Sequence, residues 1–145
     1  MDMINLTDRR DATQATVDKW LNQPFSWGAA DCAKMTLDHL RNMGHRPKIA
    51  KAGAWKTAAS ASAAVRRMGC GDLVDVIDKM GHVRINGAQA IAGDIAAIEA
   101  THSMGCLCVC IGPNQWLSLH QEADGFTVIA IDQFLAAWRI EWHEQ

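Results

Sequence analysis

The chain has 145 residues, of which 49% are apolar and 21% are charged, and these values predict one globular domain that covers residues 1–145. Lys and Arg together number 14 against 16 Asp and Glu, so the formal net charge is −2. This balance argues against a nucleic-acid partner and against binding to an anionic membrane surface.

The N-terminal part of the sequence predicts two amphipathic helices. The first is expected over Asp8–Gln23, with Asp8 as a capping residue and a proline directly after its end. The second is expected from about Asp31 to Met43, because apolar residues recur at helical spacing from Cys32 onward and Gly44 follows as a terminator. Cys32 therefore opens the face of this helix that turns inward.

Two further helices precede a region of strands. The Ala-rich run Ala52–Met68 favours a third helix by propensity, and a short fourth helix is expected over Asp72–Met80. After these, apolar runs of strand length follow at Ile95–Ile98, Cys106–Ile111, Trp116–Leu119 and Phe126–Ile131.

Turn residues join the predicted strands. Gly112-Pro113-Asn114 and Ala123-Asp124-Gly125 separate neighbouring runs, which predicts an antiparallel meander. Asp132 is expected to cap a short helix, and Trp138–Trp142 is expected to form a last strand. Helices first and strands second indicate an α+β fold, with N-terminal helices packed on a central antiparallel sheet.

A cysteine stands at the start of the second predicted helix, behind a glycine-containing turn, in the sequence Phe25-Ser26-Trp27-Gly28-Ala29-Ala30-Asp31-Cys32. Unpaired backbone N–H groups and the positive end of the helix dipole stabilise a thiolate at such a place. Cys32 is therefore a candidate nucleophile. The alternative is that Cys32 packs as a small buried apolar residue, which residue statistics favour, and spacing alone leaves both open.

Three motifs, in the same order, resemble the NlpC-type family of papain-like cell-wall cysteine peptidases. They are Trp27-Gly28-x-x-Asp31-Cys32, the strand Gly93-Asp94-Ile95-Ala96-Ala97-Ile98, and a second strand that ends in Val109-Cys110-Ile111-Gly112. Within that superfamily the chain most resembles small phage tail-associated proteins, which share the first two motifs and a terminal Ala137-Trp138-Arg139. The resemblance spans Trp20 to Arg139 and implies a papain-like fold.

The resemblance assigns the nucleophile to Cys32 and the general base to a histidine that opens the second strand. In this chain that position falls on Cys106, and a cysteine is a poor substitute for an imidazole. The third family position, a polar residue on the next strand, falls near Ser118. His120 lies two residues further on, so it shares a strand face with Ser118 and is the best candidate for the base.

Other histidines fit this role less well. His102 ranks second, because four extended residues place it about 13 Å from Cys106 unless the chain bulges. The string Gly81-His82-Val83-Arg84-Ile85 imitates the family's histidine strand. Asp72–Met80 before it has helical spacing, however, and its use would leave Gly93-Asp94 and the following strands unassigned.

Two aspartates and three strand cysteines have structural interpretations. Asp31 is expected to cap the second helix and Asp94 to stabilise the turn into its strand. Cys106, Cys108 and Cys110 alternate along one strand and share a face, which raises metal or redox chemistry as a hypothesis. Buried packing is favoured, because such neighbours lie ~6.5–7 Å apart at their Cα atoms, near or beyond the usual disulfide range.

Two functions of different classes follow from the resemblance. In the first, a phage tail-tip or baseplate protein hydrolyses peptidoglycan stem peptides: Cys32 attacks the amide carbonyl, His120 or His102 activates the thiol, and backbone N–H groups hold the oxyanion. In the second, the chain is a structural tail component that kept the fold and lost the catalytic histidine. Neither function requires a metal or an organic cofactor, and both imply other tail-tip or baseplate proteins as partners.

The sequence also predicts where the chain is made. No run approaches the ~18 apolar residues of a membrane span, and Met1–Arg10 is polar without a signal-peptide core. Five cysteines, without a CxxC pair, fit a reducing compartment. We therefore expect synthesis in a host cytoplasm without a signal peptide and a final place in the virion tail.

Overall fold

The computed structural model describes residues 5–47, 55–100, 104–120 and 125–144, with the backbone alone for His120. Within these residues lie α-helices at Asn5–Trp20 (α1), Cys32–Asn42 (α2), Ala58–Arg67 (α3) and Leu73–Lys79 (α4). One sheet contains strands at Val83–Arg84 (β1), Ile95–Ile98 (β2), Cys106–Gly112 (β3), Gln115–His120 (β4), Gly125–Ile129 (β5) and Ala136–Arg139 (β6). The expected α+β class is confirmed.

The strands pair antiparallel throughout, in the order β1-β6-β2-β3-β4-β5. Strands β2 to β5 form the predicted meander, with Ala96 opposite Cys108 and Leu117 opposite Val128. Strand β6 then returns to the other edge of β2, where Ala137 lies opposite Ala96, and the short β1 pairs with β6. The last strand in sequence is therefore an interior strand of the sheet.

Local signals define both ends of α2, as expected from the sequence. Asp31 has an extended backbone, and its side chain accepts a hydrogen bond from the backbone N–H of Lys34, so it is the N-cap. Met43 is the C-cap, and Gly44 follows with φ of +91°, a left-handed conformation that glycine adopts without steric cost. This helix fixes the position of Cys32, its first residue.

The helices cover one face of the sheet. Helices α1 and α2 contact each other and β3. Almost completely buried side chains on the covered face include those of Ile95, Ala97, Leu107 and Trp138. The opposite face buries Ala96, Cys108, Cys110, Trp116 and Ala137. Both faces of β3 are therefore apolar and buried, and the three strand cysteines lie inside the protein.

The predicted bounds of two helices, the first and the third, are wrong. Asp8 lies inside α1 rather than at its cap, because the helix already includes Asn5; it ends at Trp20, followed by Asn22 with φ of +68°. Helix α3 begins at Ala58, where a capping box between Thr57 and Ser60 satisfies the free N–H groups. Residues 52–54 of the predicted helix lie outside the described residues.

The region after β5 also differs from the prediction. Asp132 caps no helix, because the residues after it lead directly into the sheet. The N–H of Leu135 donates to the carbonyl oxygen of Ala97 over 2.8 Å. The last strand is Ala136–Arg139, two residues earlier than the predicted start, and β1 had no predicted counterpart. Of the second predicted turn, residues 123 and 124 lie outside the described residues.

Candidate functional site

The turn before α2 is held by the side chain of Asp31. One carboxylate oxygen caps the helix, and the other accepts hydrogen bonds from the N–H of Gly28 at 2.8 Å and from the indole N–H of Trp55 at 2.6 Å. Gly28 has φ of +80°, and a Cβ atom there would lie 1.8 Å from the carbonyl oxygen of Trp55. The expected N-cap role of Asp31 is confirmed, whereas Trp55 carries no sequence signal for this contact.

Cys32 is the first residue of α2 and is 8% exposed. A hydrogen bond with the side chain of Cys106 and burial raise the pKa of the Cys32 thiol well above its ordinary value. The helix start therefore does not produce a stabilised thiolate, because a second thiol and an apolar environment oppose it.

The structure brings Cys32, Cys106 and Ser118 together. The Sγ atom of Cys106 lies 3.9 Å from the hydroxyl oxygen of Ser118, on the neighbouring strand β4. The thiol of Cys108 donates to the same hydroxyl oxygen over 3.2 Å. The three positions that the resemblance assigns to nucleophile, base and orienting residue are thus close in space and carry a thiol, a thiol and a hydroxyl.

A cavity of about 70 Å³ lies beside Cys32. Its walls come from α2, α3, α4 and β3 and are almost entirely apolar, with Val65, Ile77 and Leu107 among them. Thr36 also lines this cavity, and its buried hydroxyl has no hydrogen-bond partner in the described residues. The thiol of Cys32 thus faces a small apolar space, and no histidine of the described residues lines it.

The structure leaves both candidate bases unassigned. His120 ends β4, two residues after Ser118, and its backbone pairs with Gly125. Its side chain and the whole of His102 lie outside the described residues, so their roles stay predictions.

His39 is a structural residue of α2. Its ring is completely buried and contacts the hydroxyl of Thr16 at 2.7 Å and the carbonyl oxygen of Gly93 at 2.8 Å. Because the carbonyl only accepts, Nε2 carries the proton and Nδ1 accepts from Thr16. Burial lowers the pKa of His39 to about 4, so the ring is neutral at pH 7.

Asp94 is a second buried carboxylate and lies directly before β2. Its oxygens pair with the guanidinium groups of Arg9 and Arg139, each at 2.9 Å, and accept from the backbone N–H groups of Ile140 and Ile91 at 3.0 Å. The bond to Ile91 closes the turn into β2, which confirms the expected role of Asp94. The partner Arg9 is 1% exposed, although the polar sequence around it gives no sign of burial.

In the described part of the chain, no three His, Cys, Asp or Glu side chains are arranged to hold a metal ion. None of the helices within the described residues combines the length and apolar character that crossing a bilayer requires.

The model of a family described as a domain of unknown function, DUF6950, matches residues 5–140, which is nearly the whole chain. A search of curated proteins finds no match.

Proposed function

The chain belongs to the DUF6950 family, and we propose from its own site that it is a papain-like, NlpC-type domain that serves as a structural part of a phage tail tip or baseplate and lacks peptidase activity. The observation that carries the lack of activity is that the first residue of β3, 3.9 Å from the hydroxyl of Ser118, is a cysteine, Cys106. The resemblance places an imidazole at that position.

The chemistry of amide hydrolysis explains why this residue matters. A cysteine peptidase needs a thiolate near neutral pH and an acid that protonates the leaving amine, and an imidazole supplies both functions. Cys106 instead raises the pKa of Cys32, and Ser118 beyond it has no acid–base role near neutral pH. Loss of a general base typically costs ~10²–10⁴ in rate.

The motif residues support a structural role. Asp31 uses its hydrogen bonds to hold the turn and the start of α2, and Asp94 and Arg139 join β2 to β6. Such residues keep the architecture intact whether or not the thiol reacts. The assignment to a phage tail rests on the resemblance of these motifs to small tail-associated proteins.

The first experiment measures solubilisation of purified cell-wall sacculi by the wild-type chain and by Cys32→Ala. We expect both to match buffer alone. Solubilisation by the wild type that is lost in Cys32→Ala would contradict the proposal and identify Cys32 as a nucleophile. His120→Ala and His102→Ala would then show which histidine is the base.

A gain-of-function variant tests whether Cys106 occupies the position of the base. In Cys106→His an imidazole next to Cys32 lowers the pKa of that thiol, so alkylation of Cys32 by iodoacetamide at pH 6–7 becomes at least about tenfold faster. Cys106→Ser, which removes the thiol without adding a base, is the control. Equal rates in the two variants would show that residue 106 cannot activate Cys32.

The structural role is tested on particles from a strain that carries the gene. We expect immunogold labelling to place the chain at one end of the tail, and particles with Cys32→Ala to assemble and infect normally. Particles that contain no copies of the chain would exclude a structural role.

A further inference from the structure

The buried threonines of α1 and α2 differ in how their hydroxyl groups are bonded. In α1 the hydroxyls of Thr13 and Thr16 donate to the backbone carbonyl oxygens of Arg9 and Ala12, one turn earlier, over 2.7 and 3.3 Å. Thr36 in α2 is 1% exposed, and its hydroxyl has no hydrogen-bond partner within the described residues. A buried hydroxyl without a partner is costly, so Thr36 has a hydrogen-bonding capacity that a ligand can use.

The side chain of Thr36 lines the cavity beside Cys32. Apolar side chains form most of the other walls, with Val65 from α3, Ile77 from α4 and Leu107 from β3 among them. The carboxylate of Asp31 is also part of the wall, but it already accepts three hydrogen bonds from the protein. The described walls therefore combine apolar surface with a hydroxyl that is free to bond.

The size and polarity of the cavity define the class of molecule that fits it. An engineered apolar cavity of about 150 Å³ takes up benzene, so the volume of about 70 Å³ here suits a short aliphatic chain rather than a ring. A charged ligand would lose its hydration among these apolar walls. A water molecule alone fits poorly, because it needs about two to four polar partners.

We propose that this cavity is a binding site for a small uncharged aliphatic molecule with one alcohol or carbonyl oxygen, which accepts a hydrogen bond from the hydroxyl of Thr36. The carbon chain of the ligand contacts the apolar walls. The half-buried side chains of Met68 and Met80 also line the cavity, and their flexible thioethers can move aside to admit the ligand. The site goes beyond the proposed function, because it needs neither peptidase activity nor assembly into a particle.

The first experiment titrates the folded wild-type chain with 1-butanol and follows the methyl groups by two-dimensional NMR. We expect saturable shifts for Thr36, Val65, Ile77 and Leu107, with a dissociation constant of about 1 mM, because so small a ligand makes few contacts. The methyl signals of Val128, which is exposed on β5, should not move. Shifts that do not saturate, or that spare the cavity walls, would overturn the proposal.

Thr36→Val tests the hydrogen bond, because valine has nearly the same shape without the hydroxyl. We expect this variant to bind 1-butanol at least about fivefold more weakly than the wild type and to bind xenon, which forms no hydrogen bond, equally well. Ala64→Leu, which fills the cavity from α3, should lose both ligands. Equal binding of 1-butanol by Thr36→Val and the wild type would show that the hydroxyl does not hold the ligand, which contradicts the proposal.

Thermal unfolding in the absence of ligand tests whether the hydroxyl is free. Thr36→Val removes a buried polar group without a partner, so the unfolding midpoint should rise by roughly 2–4 °C. The matched control is Thr13→Val, which removes a buried hydroxyl that has a partner and should lower the midpoint. If Thr36→Val lowers the midpoint as much as Thr13→Val does, a water molecule already satisfies the hydroxyl and the proposal fails.

Discussion

Asp94 shows how one buried residue can organise distant parts of this chain. Its carboxylate joins Arg9 in α1, Arg139 in β6 and the turn that enters β2. Arg9 also donates to the backbone carbonyl oxygens of Ala92 and Ile140. Because Arg9 is 1% exposed, its positive charge depends on Asp94 for neutralisation.

Replacement of this carboxylate is expected to be strongly destabilising. Asp94→Asn leaves the charge of Arg9 buried without a counter-charge, so the free energy of unfolding should fall by about 3–5 kcal/mol. Urea denaturation at pH 7 measures this value. The control is Asp11→Asn, which breaks the exposed pair with Arg10 and should change stability by less than about 1 kcal/mol. Equal losses of unfolding free energy in both variants would show that the buried pair contributes no more to stability than the exposed pair.

At the scale of elements, the start of α2 depends on a close backbone contact. The turn from Ser26 to Ala30 closes through mutual backbone hydrogen bonds, and Gly28 within it lies against the carbonyl group of Trp55. A side chain at residue 28 would push Trp55 away and break its bond to Asp31. The N-cap and the position of Cys32 therefore depend on the absence of a side chain at residue 28.

Alanine substitutions at two glycines with similar backbone conformations distinguish the steric effect of this contact from the cost of a left-handed backbone. Gly28 and Gly81 have φ of +80° and +87°, but a Cβ atom at Gly81 meets nothing within 4 Å. Gly81→Ala should cost only the left-handed strain of about 1–2 kcal/mol. Gly28→Ala adds a steric clash and should cost clearly more in urea denaturation. A smaller loss for Gly28→Ala would show that the turn shifts freely.

The elements that the sequence predicts well are those with local signals. Helix α2 and the β2–β5 meander follow from Asp31, Gly44 and the apolar runs between turn residues, all within a few residues of the element they define. The return of β6 to β2, the pairing of β1 and the burial of Arg9 depend on contacts far apart in sequence. Periodicity carries no information on such contacts.

The candidate site shows the same difference between local sequence signals and contacts that are distant in sequence. The motif around Cys32 marks the correct helix start, and the resemblance points to Cys106 and Ser118, whose side chains lie 3.9 Å apart on neighbouring strands. Burial of Cys32 and the resulting rise in its pKa come from the cavity walls and from Cys106, so a helix N-terminus alone predicts the wrong direction. Trp55, which fixes Asp31, comes from a loop without a local motif.

At the scale of the whole molecule, histidines couple stability to pH. Burial lowers the pKa of His39 and, with the nearby His45 and His143, that of His82, each to about 4. In the unfolded chain these two rings take up protons below about pH 6.5, whereas in the folded chain they resist protonation until about pH 4. Acidification across this window therefore favours unfolding.

The expected result is a free energy of unfolding that falls between pH 7 and pH 4.5, with His39 responsible for about 2–3 kcal/mol of the decrease. Urea denaturation of the wild type and of His39→Gln at both pH values measures this contribution. His39→Gln should lose stability at pH 7 but show a shallower decrease. An unchanged decrease would mean that His39 is not the group that resists protonation.

The interior position of β6 has a consequence for synthesis on the ribosome. Helices α1 to α4 and the β2–β5 meander emerge before residues 136–140, so one edge of β2 has no neighbour and Asp94 lacks Arg139 during this interval. An unpaired strand edge is a template for pairing with another chain. The nascent protein is therefore most prone to intermolecular association just before its final strand leaves the exit tunnel.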